Sequence, residues 1–363
     1  MTLPPAVLLA AAAPASREVF GHLPDGTEVE RIRLAGANGF EVAILTYGAT
    51  IQALHVPDRN GRTADIVLGH DTLAPYLATR SFFGATIGRY ANRIAGGAFT
   101  LDGATYPLAC NDGANTLHGG VQGFDRRNWR VVAADAASVT LALTSPDGDE
   151  GFPGTLEVAL TYRLTGPQEL TLTFEAVTDA PTLVNLTHHG FFNLAGVETG
   201  GTVLDHVLTI PAESYLPVDA GAIPLDGPAP VAGTPFDFRS PHPIGERIHE
   251  ADEQIRLGRG YDHNYCLADA PVPTPRLAAR VEHPGSGRVM EILTDQPGVQ
   301  FYSGNFLDET VAGKFGRLYR QSAAFCLEPQ FWPDSPHRPS FPSARLDTGR
   351  RYSHTSVYRF SAT

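Results

Sequence analysis

The chain has 363 residues, of which 42% are hydrophobic and 18% charged, enough apolar content for a large core. With 27 basic and 39 acidic residues the net charge is −12, and no run of Lys or Arg forms a basic stripe. That composition excludes a nucleic-acid surface and leaves a neutral small molecule unhindered. The 37 glycines and 29 prolines suit many short strands joined by turns and fit a long-helix protein poorly. Cys110, Cys266 and Cys326 are odd in number, far apart and without CxxC spacing, so neither a disulfide framework nor a zinc knuckle is expected. No apolar run reaches the roughly 20 residues that span a bilayer, so no membrane partner is expected.

At the N-terminus, Leu3 to Ala13 is apolar and Ala13-Pro14-Ala15 has the small-x-small form of a signal-cleavage site, but Met1-Thr2 supplies no basic region. We read residues 1–16 as a leader, disordered or a remnant signal, ahead of one domain, 17–363. The expected compartment is the cytoplasm, with the periplasm as the alternative if the leader is an export signal.

Strand signals dominate the rest of the chain. Glu41 to Tyr47 reads as a strand, Asp58-Arg59-Asn60-Gly61 as a tight turn and Asp71 to Thr79 as a short helix. Val139, Leu141 and Leu143 alternate with smaller or polar residues, and Ser145-Pro146-Asp147-Gly148 then turns the chain. Leu156, Val158, Leu160, Tyr162 and Leu164 repeat the period of two. After Thr165-Gly166-Pro167-Gln168, Leu170, Leu172 and Phe174 continue it. Such alternation with turn punctuation predicts an antiparallel meander with one buried face. Leu216 to Thr234 and Pro271 to Pro275 read as loops, while Gly298 to Tyr302 and Ala323 to Leu327 read as strands. No helix longer than about three turns is expected.

Five polar clusters could carry chemistry. Gly88-Arg89-Tyr90-Ala91-Asn92-Arg93 has neither Walker nor GxGxxG spacing. In Asn115-Thr116-Leu117-His118-Gly119-Gly120, two glycines allow a sharp turn that exposes the imidazole. Leu186-Thr187-His188-His189-Gly190-Phe191-Phe192-Asn193 places adjacent histidines on opposite faces of a strand. That argues against a paired metal site, and no HxH spacing offers one. Gly260-Tyr261-Asp262-His263-Asn264-Tyr265 combines aromatic and hydroxyl-binding groups. In Phe325 to Asp334, Glu328 is read as ending an apolar strand just before Pro329, and a carboxylate there needs a reason, because unpaired buried charge is costly. No GxSxG nucleophile elbow occurs. By residue type alone, Asp262 and Glu328 leave glycoside hydrolysis open.

In order and spacing, these clusters closely resemble the aldose 1-epimerase, or galactose mutarotase, family. The resemblance begins near Phe20-Gly21 and runs through Leu45 to Ile51, Gly88 to Ile94, Leu117 to Asp125 and His189 to Leu194. It continues through Gly260 to Asn264, Val299 to Leu307, Cys326 to Asp334 and Arg351 to Phe360. It implies an all-β fold, a single large antiparallel β-sandwich with a sugar cleft on one sheet. It implies a cofactor-free isomerase that interconverts α and β anomers of free hexoses. Glu328 would be the general base and His189 the general acid; Asn92, Arg93, His118, Asp262 and Gln300 would hold the sugar. The chain departs from the family pattern at His188, where many members have Asn. It departs again at Gly190-Phe191, where a small polar residue and Tyr are frequent, which puts one sugar contact in doubt. An acid working at neutral pH should be protonated, so the charge of Asp262 and Glu328 is expected to raise the His189 pKa. An epimerase of a sugar phosphate, which would need added cations at the cleft rim, and a non-catalytic sugar-binding sandwich are the alternatives. The partner expected is the aldose itself, bound by a monomer or a dimer.

Overall fold

The computed structural model describes residues 15–363; the expected leader falls almost wholly outside them. The meander forms as its periodicity predicts. Leu156–Gly166 and Glu169–Thr178 pair antiparallel through a tight turn at Pro167-Gln168, with Ser138–Ser145 on the far side. In Leu156–Gly166, Leu156, Val158, Leu160 and Tyr162 are buried, while Glu157 and Arg163 face solvent. Removing each such apolar side chain from water contributes about 1.5–3 kcal/mol before chain entropy is counted.

The meander is one end of a nine-stranded antiparallel sheet. Its order is Arg130–Ala134, Ser138–Ser145, Leu156–Gly166, Glu169–Thr178, Tyr352–Ala362, Arg288–Thr294, Arg276–Glu282, Val207–Thr209 and His242–Pro243. The last strand of the chain thus lies in the middle of the sheet, between Glu169–Thr178 and Arg288–Thr294. The register aligns Leu141, Leu160, Phe174 and His354 in one row, and the His354 ring stacks on Phe174 at 4.9 Å.

Two five-stranded sheets are the other large ones, and the remaining strands among the described residues pair two by two. The first runs in chain order from Ser16–His22 to Thr63–Asp65. The second has the order Ala229–Pro230, Ser214–Tyr215, Asp262–Cys266, Gly298–Tyr302, Cys326–Gln330. One continuous hydrophobic cluster draws on all three sheets, including Ile44, Leu160, Ile292 and Phe301. The chain is therefore an all-β sandwich, and its helices among the described residues are short: Leu73–Ala78 and Glu253–Gly258 are the two α-helices.

Three segments depart from the pattern that the sequence predicts. The strand expected at Ala323–Leu327 is Cys326–Gln330, so Glu328 sits at its centre, not its end. Pro329 pairs opposite Val299 without breaking the ladder, because this is an edge strand of its sheet, where a missing N–H is tolerated. Within the loop 216–234, Ala229–Pro230 adds a two-residue strand to Ser214–Tyr215. The helix Glu253–Gly258 was not anticipated, although Asp252 caps it by accepting from the N–H groups of Gln254 and Ile255.

Candidate active site

Three neighbouring strands of the second five-stranded sheet build the floor. Cross-strand pairing places Asn264, Gln300 and Glu328 in one row and Asp262, Tyr302 and Cys326 two rows further along. Residues two apart share a face, so these rows present Asp262, Gln300 and Glu328 together. Gln300 Nε2 donates to Asp262 Oδ1 at 2.7 Å.

The wall comes from the strand Thr187–His189, which pairs with Ala85–Ile87. Just beyond it, Phe192 and Phe325 exchange backbone hydrogen bonds of 2.8 and 3.0 Å, which brings this segment against Cys326–Gln330. Here the two histidines part as strand geometry requires. His189 Nε2 lies 3.6 Å from Glu328 Oε1, whereas His188 turns to the other side, where its Nδ1 meets the Tyr358 hydroxyl at 3.2 Å.

The remaining residues enter from loops. His118 (φ 52°) and Asn92 (φ 63°) both occupy the left-handed region and bond reciprocally. His118 N–H donates to Asn92 O at 3.0 Å, and Asn92 N–H donates to His118 Nδ1 at 3.2 Å. Gly119 (φ 78°) makes the turn possible, since a Cβ there would lie 2.0 Å from the Gly88 carbonyl oxygen. Arg93 Nε donates to Asp112 Oδ2 at 2.7 Å, and the Arg93 carbonyl accepts from Asp334 N–H, tying this loop to the segment after Glu328.

These elements enclose a cavity of about 310 Å³ lined by Asn92, Arg93, His118, His189, Asp262, Gln300 and Glu328. The seven residues singled out in sequence are thus brought together from six segments. Phe82, Phe191, Tyr302, Phe306 and the hairpin from Asp308 to Arg320 supply an apolar rim that the sequence reading did not assign. Their only signal was aromatic residues flanking glycine, as in Phe82-Phe83-Gly84. Phe191, whose missing hydroxyl put a contact in doubt, stacks on the His189 ring at 4.9 Å with planes 12° apart.

Electrostatics here follow burial. Desolvation pushes the Glu328 carboxyl well above its ordinary range, with Asp262 adding to the rise and Arg93 opposing it. Desolvation also raises Asp262, and it depresses His189 to about 3. The expectation that neighbouring carboxylates would raise His189 is therefore overturned: removal from water outweighs their attraction. His118 is held well below its ordinary value, by burial first and then by His189, Arg93 and Arg80. Burial thus disfavours the charged form of each, and because the two lie 3.6 Å apart their titration belongs to the pair.

Of the buried side-chain polar atoms without a partner among the described residues, three belong to residues that line this cavity: Glu328 Oε2, Gln300 Oε1 and His189 Nδ1. Unpaired buried groups are costly, so their convergence on one cavity fits a ligand rich in hydroxyls. The ligating atoms of His118, His189 and Glu328 lie within 4.8 Å of one another, as a metal would require. The hydrogen bonding opposes that use. His118 Nδ1 already accepts an N–H, so its Nε2 carries the proton and is a donor. A second such group, Asp205, His206 and His283, is closed in the same way. His206 Nε2 accepts from Leu194 N–H and His283 Nδ1 from Ser286 N–H, so both remaining ring N–H groups face Asp205.

Comparison with known proteins places this geometry. The family profile described as "Aldose 1-epimerase" matches residues 30–359. The galactose mutarotase of Bos taurus is 47% identical over 349 residues, covering 95% of this chain and 98% of that protein. The aldose 1-epimerase of Escherichia coli K12 is 40% identical, covering 93% and 97%. Among solved structures, an aldose epimerase homologue from C. elegans superposes with a TM-score of 0.84 at 32% identity, covering 92% of this chain and 99% of that one. Full-length similarity of this kind, on the same fold, shows that the chain belongs to the aldose 1-epimerase family.

Proposed function

We propose that this chain interconverts the α and β anomers of free hexoses, with Glu328 as general base and His189 as general acid. The observation that carries the reading is the Glu328–His189 pair, 3.6 Å apart, each with one unpartnered atom in the same enclosed cavity. Mutarotation needs a proton removed from the C1 hydroxyl and another delivered to the ring oxygen. The C1–O5 bond then breaks, C1 becomes a carbonyl carbon, the C1–C2 bond rotates, and the same two groups act in reverse as the ring closes on the other carbonyl face. One base and one acid that exchange roles suffice, without redox chemistry.

The pair carries the single proton this cycle requires. In the form Glu328 carboxylate with His189 imidazolium it is ready to open the ring. Burial favours the neutral form, one proton transfer away. Arg93 favours the ionised carboxylate, and bound hydroxyls would restore polarity lost on burial. The His118 Nε2–H is a fixed neutral donor, suited to the oxygen on which charge develops. Asn92, Arg93, Asp262 and Gln300 would bond the sugar hydroxyls.

Free sugars are favoured over sugar phosphates by charge. The two cations that line the cavity are already paired, Arg80 with Asp125 and Arg93 with Asp112. We read residues 17–363 as one domain, supported by the continuous core. Among the described residues no helix is long and apolar enough to cross a membrane; we propose a cytoplasmic enzyme.

Polarimetry of freshly dissolved α-glucose and α-galactose tests the activity. The wild type should speed the approach to the equilibrium rotation for at least one of them, and Glu328→Gln should not. No acceleration by the folded wild type with either sugar would overturn the reading.

A further inference from the structure

We propose that Phe82, together with Phe191, is a positioning residue for His189: the two phenyl rings fix the plane of the imidazole and favour its protonated form over the neutral one. This rests on the reading of His189 as the acid. The Phe82 ring lies 5.7 Å from the His189 ring with planes 13° apart, and Phe191 lies 4.9 Å from it at 12°. The imidazole therefore has two nearly parallel aromatic neighbours, while His118 meets it edge-on at 5.3 Å. A phenyl ring presents negative charge on its face, so it attracts an imidazolium more than a neutral imidazole.

Each ring is held independently of His189. Phe191 is buried, with the rings of Phe83 and Tyr302 against it edge-to-face at 4.9 and 6.0 Å. Phe82 is held at unusual backbone cost. Its φ of 58° lies in the left-handed region, which a bulky aromatic residue rarely adopts. Such strain persists only where the surroundings enforce it, and it concentrates at functional sites. Ala85 N–H donates to the Phe82 carbonyl at 3.1 Å, and the Arg80 guanidinium carbon lies 4.8 Å from the Phe82 ring centroid. Arg80 is itself locked by two 2.8 Å bonds to the Asp125 carboxylate.

The device answers a requirement of the site. Removal from water disfavours the imidazolium that ring opening consumes. The charged or titratable groups around His189 are Glu328, Asp262 and Tyr302 from the floor, Arg93 and His118 from the loops, His188 before it on its own strand, and Arg80 behind Phe82. Glu328 and Asp262 favour the cation, whereas Arg93 and Arg80 oppose it. Aromatic faces add attraction for the cation without adding a group that titrates.

Fluorinated phenylalanines at position 82, from one to three fluorines, weaken the ring face at nearly constant shape. For glucose, kcat should fall stepwise with fluorine number, about tenfold across the series, while KM stays within about twofold. The basic limb of the pH–kcat profile, which reports loss of the proton from the Glu328–His189 pair, should move to lower pH. Phe82→Leu should lose at least as much as the trifluoro variant. A series with constant kcat and an unmoved limb would overturn the proposal, even if Phe82→Leu were slow, because shape alone would then account for the ring. Full activity in His189→Asn would instead overturn the assignment of the acid, so the two failures are distinguishable.

Discussion

Acid should unfold this protein at an unusually high pH, and the size of the effect follows from three histidines outside the catalytic pair. Burial depresses His188, His263 and His354 to about 3 from the ordinary 6.5. Each is packed as a neutral ring. His263 Nδ1 accepts from Asp262 N–H and leaves its other nitrogen 3.1 Å from Gln254 Oε1, and His354 Nδ1 lies 2.9 Å from the Leu186 carbonyl. In the unfolded chain these rings protonate as pH falls through 6.5, whereas in the folded chain they do not. The unfolded state then binds more protons, so stability is fully present above 6.5 and is lost as pH falls toward 3. Between pH 7 and pH 5 the loss is about 2 kcal/mol per ring at 1.36 kcal/mol per pH unit, hence about 6 kcal/mol for three. That is comparable with the 5–15 kcal/mol typical of a whole domain. Carboxylates held below their ordinary values lose their contribution only below about 4.5, outside this window. Glu328 has the opposite sign, since its raised pKa makes acid favour the folded state. Asp262 and Asp295, also raised by burial, share that sign, and urea unfolding of Glu328→Gln at pH 7, 6 and 5 removes one of the three opposing carboxyls. A loss below about 2 kcal/mol over that range would refute the claim that all three are held neutral.

His189→Asn should lower kcat by about 10²- to 10⁴-fold and erase the basic limb of a bell-shaped pH profile. His188→Asn should do neither, since that ring faces Tyr358 across the strand; the reverse result would reassign the acid. Activity should survive exhaustive EDTA treatment, because the hydrogen bond at His118 Nδ1 opposes ligation; loss on chelation with recovery on adding one metal would contradict this. Mass spectrometry of the native protein should find a terminus at Met1 or Thr2 if the enzyme is cytoplasmic, and a start near Ser16 if residues 1–15 are an export signal.

The fold was legible in sequence wherever one face of a strand meets the core and the other meets water. Leu156 to Leu164 shows that alternation, and its register with Leu170 to Phe174 follows from it. Legibility failed where burial is two-sided. All five residues of Cys326–Gln330 are buried, so alternation vanishes, and Pro329 suggested an end that the edge position does not require. The helix Glu253–Gly258 is too short for a period to show. At the site, the clusters around Asn92, His118, His189, Asp262 and Glu328 were visible as polar residues beside glycine or aromatics. Their convergence was not visible, because it depends on crossovers between distant segments. At Phe82 the sequence shows no more than an aromatic pair before Gly84, since its positive φ and its parallel packing on His189 arise only in the fold. The direction of the His189 shift was also misjudged, because sequence supplies the charges near a group but not its depth.

Depth also explains why the site should cost the fold stability. Glu328 is nearly inaccessible, and its facing partners include a second carboxylate, Asp262. A carboxyl whose pKa is raised by burial favours the folded state only while protonated, so stability declines as pH rises from about 4.5 toward the folded value. Surface placement would remove that penalty and also remove the base, because its strength in the cavity depends on the same desolvation. Glu328→Gln keeps the shape, hydrogen-bonds through its amide and carries no charge. We therefore expect it to abolish mutarotation while raising the Tm at pH 8, with the gain shrinking as pH is lowered toward 4.5. Differential scanning calorimetry of both proteins at pH 8 and pH 5 measures this. An inactive variant that is less stable than the wild type at pH 8 would show that Glu328 is retained for the fold, and the argument from buried charge would fail.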